Sequence, residues 1–332
     1  MRGTTLHAVI SVVLPVHNEA ETLPELHRRL TGALAGLGSY ELILVDDGST
    51  DESWFHLREL RKNDAHVRLL RLSRNFGHQA ALTAGLDTAR GDAVIVMDAD
   101  LQDPPEVIPS LVAKWQEGFD VVYGVRTIRE GETRFKLWTA AAFYRALRWM
   151  THVDIPADAG DFRLLSRKAV DALALMPERA RFLRGMTSWV GFRQTAVPYE
   201  REARYAGKTN YSRRRMIAFA LDAITSFSTA PIRIVTSLGF VLVIFCAGVL
   251  AWTVYVKLFT DTAVAGWTSL LAVVLLLCGM QFVALGIIGQ YVARIFEEAK
   301  QRPLYLVSES VDGGDTLDAT QAPASAAALD RQ

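Results

Sequence analysis

The N-terminal part of the chain alternates short apolar runs with helix-length amphipathic segments. Five runs, each followed by a turn rich in Asp, Gly or Asn, are predicted strands: Ile10–Leu14, Leu42–Val45, Leu69–Leu72, Ala93–Met97 and Val121–Tyr123. Continuous apolar strands separated by helices indicate a mostly parallel sheet covered on both faces. We therefore expect an α/β domain that binds its ligands beyond the carboxyl ends of the strands.

The pattern becomes less regular between residues 135 and 211. Helical spacing occurs around Trp138–Met150 and Lys168–Met176, and Thr195–Tyr199 alternates as a strand does. We interpret residues 1–211 as one domain that contains this irregular part.

Two long apolar runs follow this domain. Ile234–Val256 and Ser269–Val292 each exceed the roughly 20 residues that span a bilayer, and neither carries a charge in its middle. We predict transmembrane helices at 234–256 and 269–292, joined by a short external loop at 257–268. Arginines and lysines lie outside both outer ends of the pair, so the positive-inside rule places both termini in the cytoplasm.

The segments that flank the predicted spans differ in character. Residues 212–233 begin with an arginine triplet and are predicted to form a juxtamembrane amphipathic helix against anionic headgroups. Residues 293–332 are predicted to be a cytoplasmic tail, disordered from about Asp312, because Gly, Ala, Asp, Thr and Ser bury little surface. Residues 1–7 lack the features of a secretory signal. These features predict a multi-pass protein of the cytoplasmic membrane.

Composition excludes several classes of function. Lys and Arg total 36, as do Asp and Glu, so no net positive charge points to a nucleic-acid partner. The two cysteines, Cys246 and Cys278, both lie in apolar runs without metal-ligand spacing. Neither a disulfide framework nor a zinc site is therefore expected.

Acidic turns follow the predicted strands and should meet at one edge of the sheet. Asp98, Asp100 and Gln102 come directly after the fourth strand, and oxygen ligands at alternate positions suit Mg²⁺ or Mn²⁺ shared with substrate phosphates. Asp46 and Asp47 end the second strand, where such a turn can hydrogen-bond a base or a ribose. The sequence therefore predicts a metal and nucleotide site.

The motifs in combination resemble a known family. They are Pro15-Val16-His17-Asn18-Glu19, Val45-Asp46-Asp47-Gly48-Ser49, Asp98-Ala99-Asp100-Leu101-Gln102 and Gly160-Asp161-Phe162-Arg163-Leu164. With the two apolar runs behind them, they resemble family 2 glycosyltransferases of the dolichol-phosphate mannosyltransferase and bactoprenol glucosyltransferase type over roughly residues 9–305. The resemblance implies a GT-A fold, an inverting hexose transfer from a UDP- or GDP-sugar, and a polyprenyl-phosphate acceptor.

The resemblance also implies residue roles. The expected nucleotide-sugar contacts are Pro15, His17, Glu19, Asp46, Asp47, Asp98, Ala99, Asp100, Arg126, Arg204 and Lys208, and the expected metal ligands are Asp100 and Gln102. Arg126 and Arg204 match arginines that clamp phosphates, a task that suits the planar guanidinium. Two positions depart from the family: His17 replaces the usual tyrosine, and the expected lysine falls on Asn210, so Lys208 is the substitute.

Asp161 and Asp100 are the predicted catalytic residues. For Asp161 three roles stay open: general base, positioner of the acceptor or the sugar, and structural partner of Arg163. We favour positioning, because a phosphate monoester with a second pKa near ~6 is already an anionic nucleophile at neutral pH.

Two other functions compete with this interpretation. A processive polysaccharide synthase shares the acidic motifs but usually carries Gln-x-x-Arg-Trp, whereas Arg145 precedes Arg148-Trp149 here. A non-catalytic membrane module that binds nucleotide sugar should have eroded motifs, and these are intact. The sequence does not specify the sugar or the nucleotide, and it leaves a homo-oligomer open.

Overall fold

The computed structural model describes residues 8–126, 159–179, 181–202, 230–259, 266–312 and 315–318. The chain divides into two compact units. One holds the described residues through Glu202 and those from Arg302 onward, and the other holds the described residues between them.

The first unit is an α/β domain. Its strands are β1 (Val9–Val16), β2 (Ser39–Asp46), β3 (Val67–Leu72), β4 (Ala93–Val96), β5 (Val121–Arg126), β6 (Ala159–Ser166), β7 (Gln194–Tyr199), β8 (Val307–Asp312) and β9 (Asp315–Asp318). Its helices are α1 (Leu23–Leu34), α2 (Ser53–Asn63), α3 (His78–Thr88), a 3₁₀ turn (Pro105–Val107), α4 (Ile108–Gln116), α5 (Arg167–Ala174) and α6 (Leu183–Trp189). The five strands predicted from apolar runs correspond to β1 through β5, and the later strand and helix patterns correspond to β7 and α5.

One sheet contains all the described strands, in the order β7-β5-β6-β4-β1-β2-β3-β8-β9. β6 and β8 pair antiparallel with their neighbours, so these two run against the others. The prediction of an α/β fold with a mostly parallel sheet is confirmed. The predicted helical pattern at Trp138–Met150 lies outside the described residues.

Helix α3 lies against the central strand β1. Gly85 in this helix has no room for a side chain, because a Cβ there would lie 2.2 Å from Val13 Cγ1. The inner face of β1, from Ile10 to Val16, is buried against α1 and α4 on the other side of the sheet. Because α3 packs closely on β1, its first residues are held just beyond the carboxyl ends of the strands.

Strand β6 was missed by the sequence prediction because charged residues interrupt its apolar pattern. Asp161 and Arg163 alternate with apolar residues, yet both are buried, at 8% and 4% exposure. β6 pairs antiparallel with β4, and Val96 lies opposite Arg163. Continuing this register by two residues sets Asp161 across from Asp98.

The C-terminal segment extends the same sheet. β8 pairs with β3, and Tyr305 just before it donates a hydrogen bond of 2.8 Å to Asp87 Oδ2 on α3. The Asp312 carboxylate forms ion pairs with Arg68 and Arg90, whose Nη2 atoms lie 3.1 and 2.9 Å from Asp312 Oδ2. The predicted start of disorder at about Asp312 is wrong for Asp315–Asp318, which form β9, and residues 319–332 lie outside the described residues.

The second unit contains two long helices, α7 (Ala230–Phe259) and α8 (Trp267–Ala299). In the described part of the chain, one helical stretch is long and apolar enough to cross a membrane, Gly279–Ala299, with a mean hydropathy of 1.3. Val235–Val249 is a shorter apolar stretch. Both predicted helices are therefore present, while two membrane spans stay a prediction. The predicted juxtamembrane helix falls largely on 212–229, outside the described residues.

Candidate active site

The loops after β1 and β2 are joined by hydrogen bonds at the carboxyl edge of the sheet. Asp47 N donates to Val16 O, and Asn18 N donates to Ser49 Oγ, at 2.8 and 3.0 Å. Asn18 takes a left-handed conformation, φ 57°, and its side-chain oxygen accepts from Thr50 N. The predicted convergence of these two turns is thus observed.

The paired aspartates at the end of β2 face into the protein. Asp46 is fully buried, accepts from Ser49 N and lies 3.3 Å from Arg71 Nε. Asp47 accepts from Phe76 N and Gly77 N, at 2.7 and 2.9 Å. Burial raises the pKa of Asp47, although both amides oppose that shift. Each carboxylate has a structural task here, and their contact with a nucleotide stays a prediction.

The remaining residues of this wall differ in exposure. Pro15 is buried within β1, whereas His17 is exposed and lies 3.0 Å from Asp47 O through Nδ1. Glu19 is half-buried, and its backbone N–H donates to Ser53 Oγ. Of these residues, the exposed ring of His17 is the one open to an incoming ligand.

A row of carboxylates follows β4. Asp98 is partly exposed, Ala99 and Asp100 are buried, and Asp100 Oδ1 accepts from Gln102 N at 3.1 Å. Burial, together with the charges of Asp161, Asp103 and Asp100, raises the pKa of Asp98 to about 6, against the opposing effect of His78. Burial is the main cause of this shift, and the neighbouring carboxylates add to it.

Asp161 is the centre of an ion-pair cluster. Arg184 on α6 donates two hydrogen bonds to its carboxylate, at 2.7 and 3.0 Å. His78 Nε2 lies 3.5 Å from Asp161 Oδ2 and 3.4 Å from Asp98 Oδ1. Although burial alone would raise it, His78 and Arg184 hold the pKa of Asp161 well below its usual range. The carboxylate is thus ionised at any working pH.

Arg163 has a different task from the one considered in the sequence. Its guanidinium is buried and donates to Thr187 Oγ1, Gly160 O and the backbone oxygen of Asp161. Burial lowers its pKa to about 10. Arg163 therefore ties α6 to β6. The side-chain partner of the Asp161 carboxylate is Arg184, and not Arg163 as in the structural alternative considered for Asp161.

A second cluster connects the loop after β4 with Arg126. The Tyr199 hydroxyl donates to Asp103 Oδ1, and Arg126 Nε donates to the same hydroxyl at 3.4 Å. The Arg126 guanidinium also packs on Gly160, where a Cβ would lie 3.1 Å from Nη2. Tyr199 thus positions Arg126 beside the β6 strand that carries Asp161.

Gln102, the second predicted metal ligand, has a protein partner in this structure. Arg201 Nη2 donates to Gln102 Oε1 at 2.6 Å, and Glu202 N donates to the backbone oxygen of Gln102. Within the described residues, no group of three His, Cys, Asp or Glu side chains is arranged to hold a metal by itself. Arg204 and Lys208 lie outside the described residues.

Sequence reasoning missed three residues of the site: His78, Arg184 and Tyr199. His78 follows the third predicted strand in Asn75-Phe76-Gly77-His78, so its place after a strand was a usable signal. Arg184 and Tyr199 reach the site through α6 and β7, and single-residue patterns do not reveal such contacts.

Tyr199→Phe is expected to lower the free energy of unfolding by about 1–3 kcal/mol, the usual cost of leaving a buried polar group without its partner. Tyr199 and Asp103 are 5% and 1% exposed, and the hydroxyl joins them. Denaturant unfolding of the full chain measures the change. Tyr40→Phe is the control, since that ring stacks on His66 at 4.4 Å. A Tyr199→Phe protein as stable as the control would contradict the bridging role.

Comparison with known proteins gives a family and several long relatives. Residues 11–174 match the family model described as Glycosyl transferase family 2. The uncharacterized glycosyltransferase YkcC of Bacillus subtilis (strain 168) is 47% identical over 92% of this chain and 94% of that protein. The prophage bactoprenol glucosyl transferase homolog of Escherichia coli (strain K12) is 42% identical over 90% of this chain and 98% of that protein. The bactoprenol glucosyl transferase of Shigella phage SfII is 40% identical over 92% and 99%.

Solved structures give a more distant similarity. A glucosyl-3-phosphoglycerate synthase from Mycobacterium tuberculosis, in complex with Mn²⁺, uridine diphosphate and phosphoglyceric acid, is 24% identical with a TM-score of 0.48. That match covers 66% of this chain and 76% of the synthase. With relatives of 40–47% identity along nearly its whole length, the protein belongs to glycosyltransferase family 2 and is a glycosyltransferase whose α/β domain is GT-A-like.

Proposed function

We propose that the protein transfers a hexose from a nucleotide sugar to a polyprenyl phosphate, with inversion at the anomeric carbon. The observation that carries the proposal is the convergence of Asp98, Asp161, His78 and Arg184 at the carboxyl edge of the sheet, beside Asp100. The names of the relatives, bactoprenol glucosyl transferase, support a polyprenyl acceptor and make glucose the first candidate sugar. The proposed donor is a nucleotide sugar of the UDP-glucose or GDP-mannose class.

The acceptor phosphate supplies its own nucleophile. A phosphate monoester has a second pKa near ~6, so one oxygen is largely anionic at neutral pH and can attack the anomeric carbon. A carboxylate whose pKa lies far below the working pH is a weak general base. The depressed pKa of Asp161 therefore favours positioning: Asp161 orients Arg184 and His78 on the side where acceptor and sugar meet.

The end of β4 suits a divalent cation shared with the substrate diphosphate. Asp98, Asp100 and Asp103 lie within six residues of one another, and no described hydrogen-bond donor reaches the buried Asp103 Oδ2. Oxygen-only donors of this kind prefer Mg²⁺ or Mn²⁺, and Asp100 and Gln102 would hold the ion. When bound, the ion would neutralise charge on the departing diphosphate. The amide oxygen of Gln102 has two lone pairs. One accepts from Arg201, and the other would bind the ion.

Arg126 is the described residue that fits a phosphate contact. It is half-buried, tied to Tyr199, and its pKa is raised by Tyr199 and Asp103 against the effect of burial. We propose that it binds the donor diphosphate with Arg204 and Lys208. Pro15, His17, Glu19, Asp46, Asp47, Asp98 and Ala99 remain the proposed contacts of the nucleotide and the sugar.

A membrane location would bring the site to a lipid phosphate. α7 exposes large apolar side chains, among them Phe240, Ile244 and Trp252, and α8 exposes Phe282, Val283 and Ile288. Exposed apolar surface along two long helices supports two membrane spans at 234–256 and 269–292, with both termini in the cytoplasm.

The proposal is tested by nucleoside diphosphate release from purified protein with undecaprenyl phosphate, Mn²⁺ and a panel of UDP- and GDP-sugars. One donor should give release that depends on the lipid, and mass spectrometry should find one sugar per lipid phosphate. Products with many sugars would instead support a processive synthase. Absence of lipid-dependent release with every donor would rule the proposal out.

A further inference from the structure

His78 is a titratable residue of the site to which neither the family motifs nor the predicted metal assign a role. It is the first residue of α3, and its side chain is 41% exposed. Its Nε2 lies 3.4 Å from Asp98 Oδ1 and 3.5 Å from Asp161 Oδ2. One ring nitrogen therefore stands between the carboxylates of two different strands.

The loop that presents His78 is held from the end of β2. The Asp47 carboxylate accepts from Phe76 N and Gly77 N, the two amides directly before the histidine. Gly77 has φ 97°, a conformation that favours glycine. At Gly48 a Cβ would lie 2.6 Å from the backbone of Arg74 and Asn75, so the two loops pack against each other. The imidazole is thus placed by rigid backbone contacts.

The charges around His78 favour its cationic form. Burial opposes protonation, but the hydrogen bond to Asp161 and the charge of Asp98 raise the pKa of the imidazole, and Arg184 lowers it. The paired part of β4 and β6 ends at Val96 and Arg163, and just beyond it the carboxylates of Asp98 and Asp161 both lie within 3.5 Å of His78 Nε2. Like charges in such a position repel, and a cation between them removes the repulsion.

We propose that His78 is a positioning residue of the transferase: its ring nitrogen Nε2, within 3.5 Å of both carboxylates, holds Asp98 and Asp161 in one arrangement around the reacting sugar. This inference rests on the proposed function, in which Asp98 contacts the donor sugar and Asp161 orients the acceptor side. Displacing a catalytic group by about 1 Å can cost about 10²-fold in rate. His78 therefore acts on the chemical step through the two carboxylates.

The test compares two substitutions of His78 in the full-length protein. His78→Leu removes the polar ring nitrogen that lies between the two carboxylates, whereas His78→Gln keeps an amide N–H near the place of Nε2. We expect His78→Leu to lower kcat about 30- to 100-fold and to change the donor KM less than about 3-fold, since misplaced groups slow the chemical step. The kcat of His78→Gln should be at least about tenfold higher than that of His78→Leu, because glutamine keeps an N–H donor.

His27→Leu is the matched control. His27 also pairs with an aspartate, at 2.8 Å from Asp64 Oδ2, but between α1 and the segment before β3. The His27→Leu protein should keep kcat within about twofold of wild type, because His27 lies away from the site. Thermal unfolding of all three variants shows whether each is folded at the assay temperature.

Three outcomes would overturn the inference: kcat of His78→Leu within twofold of wild type, equal losses in His78→Leu and His78→Gln, or a loss that appears in the donor KM alone. The wild-type assay separates this result from the proposed function. If wild type shows no lipid-dependent transfer with any donor, the proposed function fails; if wild type is active, the variants decide the role of His78.

Discussion

Asp100→Ala is expected to lower lipid-dependent sugar transfer by about 10³-fold or more, because several kcal/mol of leaving-group stabilisation can come from one catalytic metal ion. Asp100 is 7% exposed and lies just beyond β4, close in sequence to the carboxylates of Asp98 and Asp103. Its removal takes away the proposed direct ligand. The second measurement is binding of Mn²⁺ with nucleoside diphosphate, followed as a rise in melting temperature, which the variant should lose.

Folding of the Asp100→Ala protein needs its own control. Asp100 Oδ1 accepts from Gln102 N across Leu101, which has a left-handed conformation, φ 58°. Asp100→Asn keeps an oxygen at that place but offers the metal no charge, so it should fold as wild type does and still lose most activity. Asp171→Ala, an exposed carboxylate on α5, controls for loss of a negative charge elsewhere. Activity of a folded Asp100→Ala protein within tenfold of wild type would refute metal ligation by Asp100.

The parallel part of the fold could be predicted because each strand carries its own signal. The apolar runs that became β1, β2 and β4 are buried on both faces and contain no charged residue, and the run in β3 is interrupted only by the partly exposed Arg71. β6 has the same degree of burial but contains Asp161, which is paired with Arg184 on α6, and Arg163, which donates to Thr187 on α6 and to the backbone oxygens of Gly160 and Asp161. A local pattern contains no information about such distant partners, and the strand was therefore missed.

The C-terminal strands were missed for a related reason. β8 has the sequence Val-Ser-Glu-Ser-Val-Asp, which is too polar to indicate a buried strand. It forms because it can pair with the edge of β3, and because Arg68 and Arg90 form ion pairs with Asp312. Edge strands that depend on a preformed sheet are difficult to recognise from sequence alone.

The site was predicted residue by residue but not as a set of contacts. The motifs indicated Asp98, Asp100 and Asp161 because each lies in a recognisable segment. They did not show that Asp98 and Asp161 face each other, since that follows from the antiparallel register of β4 and β6. The role of Asp47 as the acceptor for Phe76 and Gly77 also required the folded loops.

Asp161→Asn is expected to lower kcat about 10²- to 10³-fold, because Arg184 and His78 lose the charge that orients them. Stability should fall as well. Removing one partner of a buried pair costs about 3–5 kcal/mol, and the cost here should lie near or below the low end, since the Arg184 side chain is 28% exposed. Denaturant unfolding and steady-state kinetics of the full chain measure the two effects.

The pH dependence of these effects distinguishes an orienting carboxylate from a general base. The pKa of Asp161 is lower in the folded protein than the roughly 3.9 of an unfolded chain. Its contribution to stability is therefore complete above the unfolded pKa and is lost progressively as the pH falls toward the much lower folded pKa, so the stability difference between wild type and Asp161→Asn should begin to shrink below about pH 4. Between pH 5 and 8 the carboxylate stays ionised, so Asp161→Asn should shift the titrations of Asp98 and His78, whose pKa values depend on Asp161, without removing a titration from the kcat profile. A titration of the wild-type profile that is absent altogether from Asp161→Asn would show that Asp161 titrates as the base, and the orienting role would then be wrong.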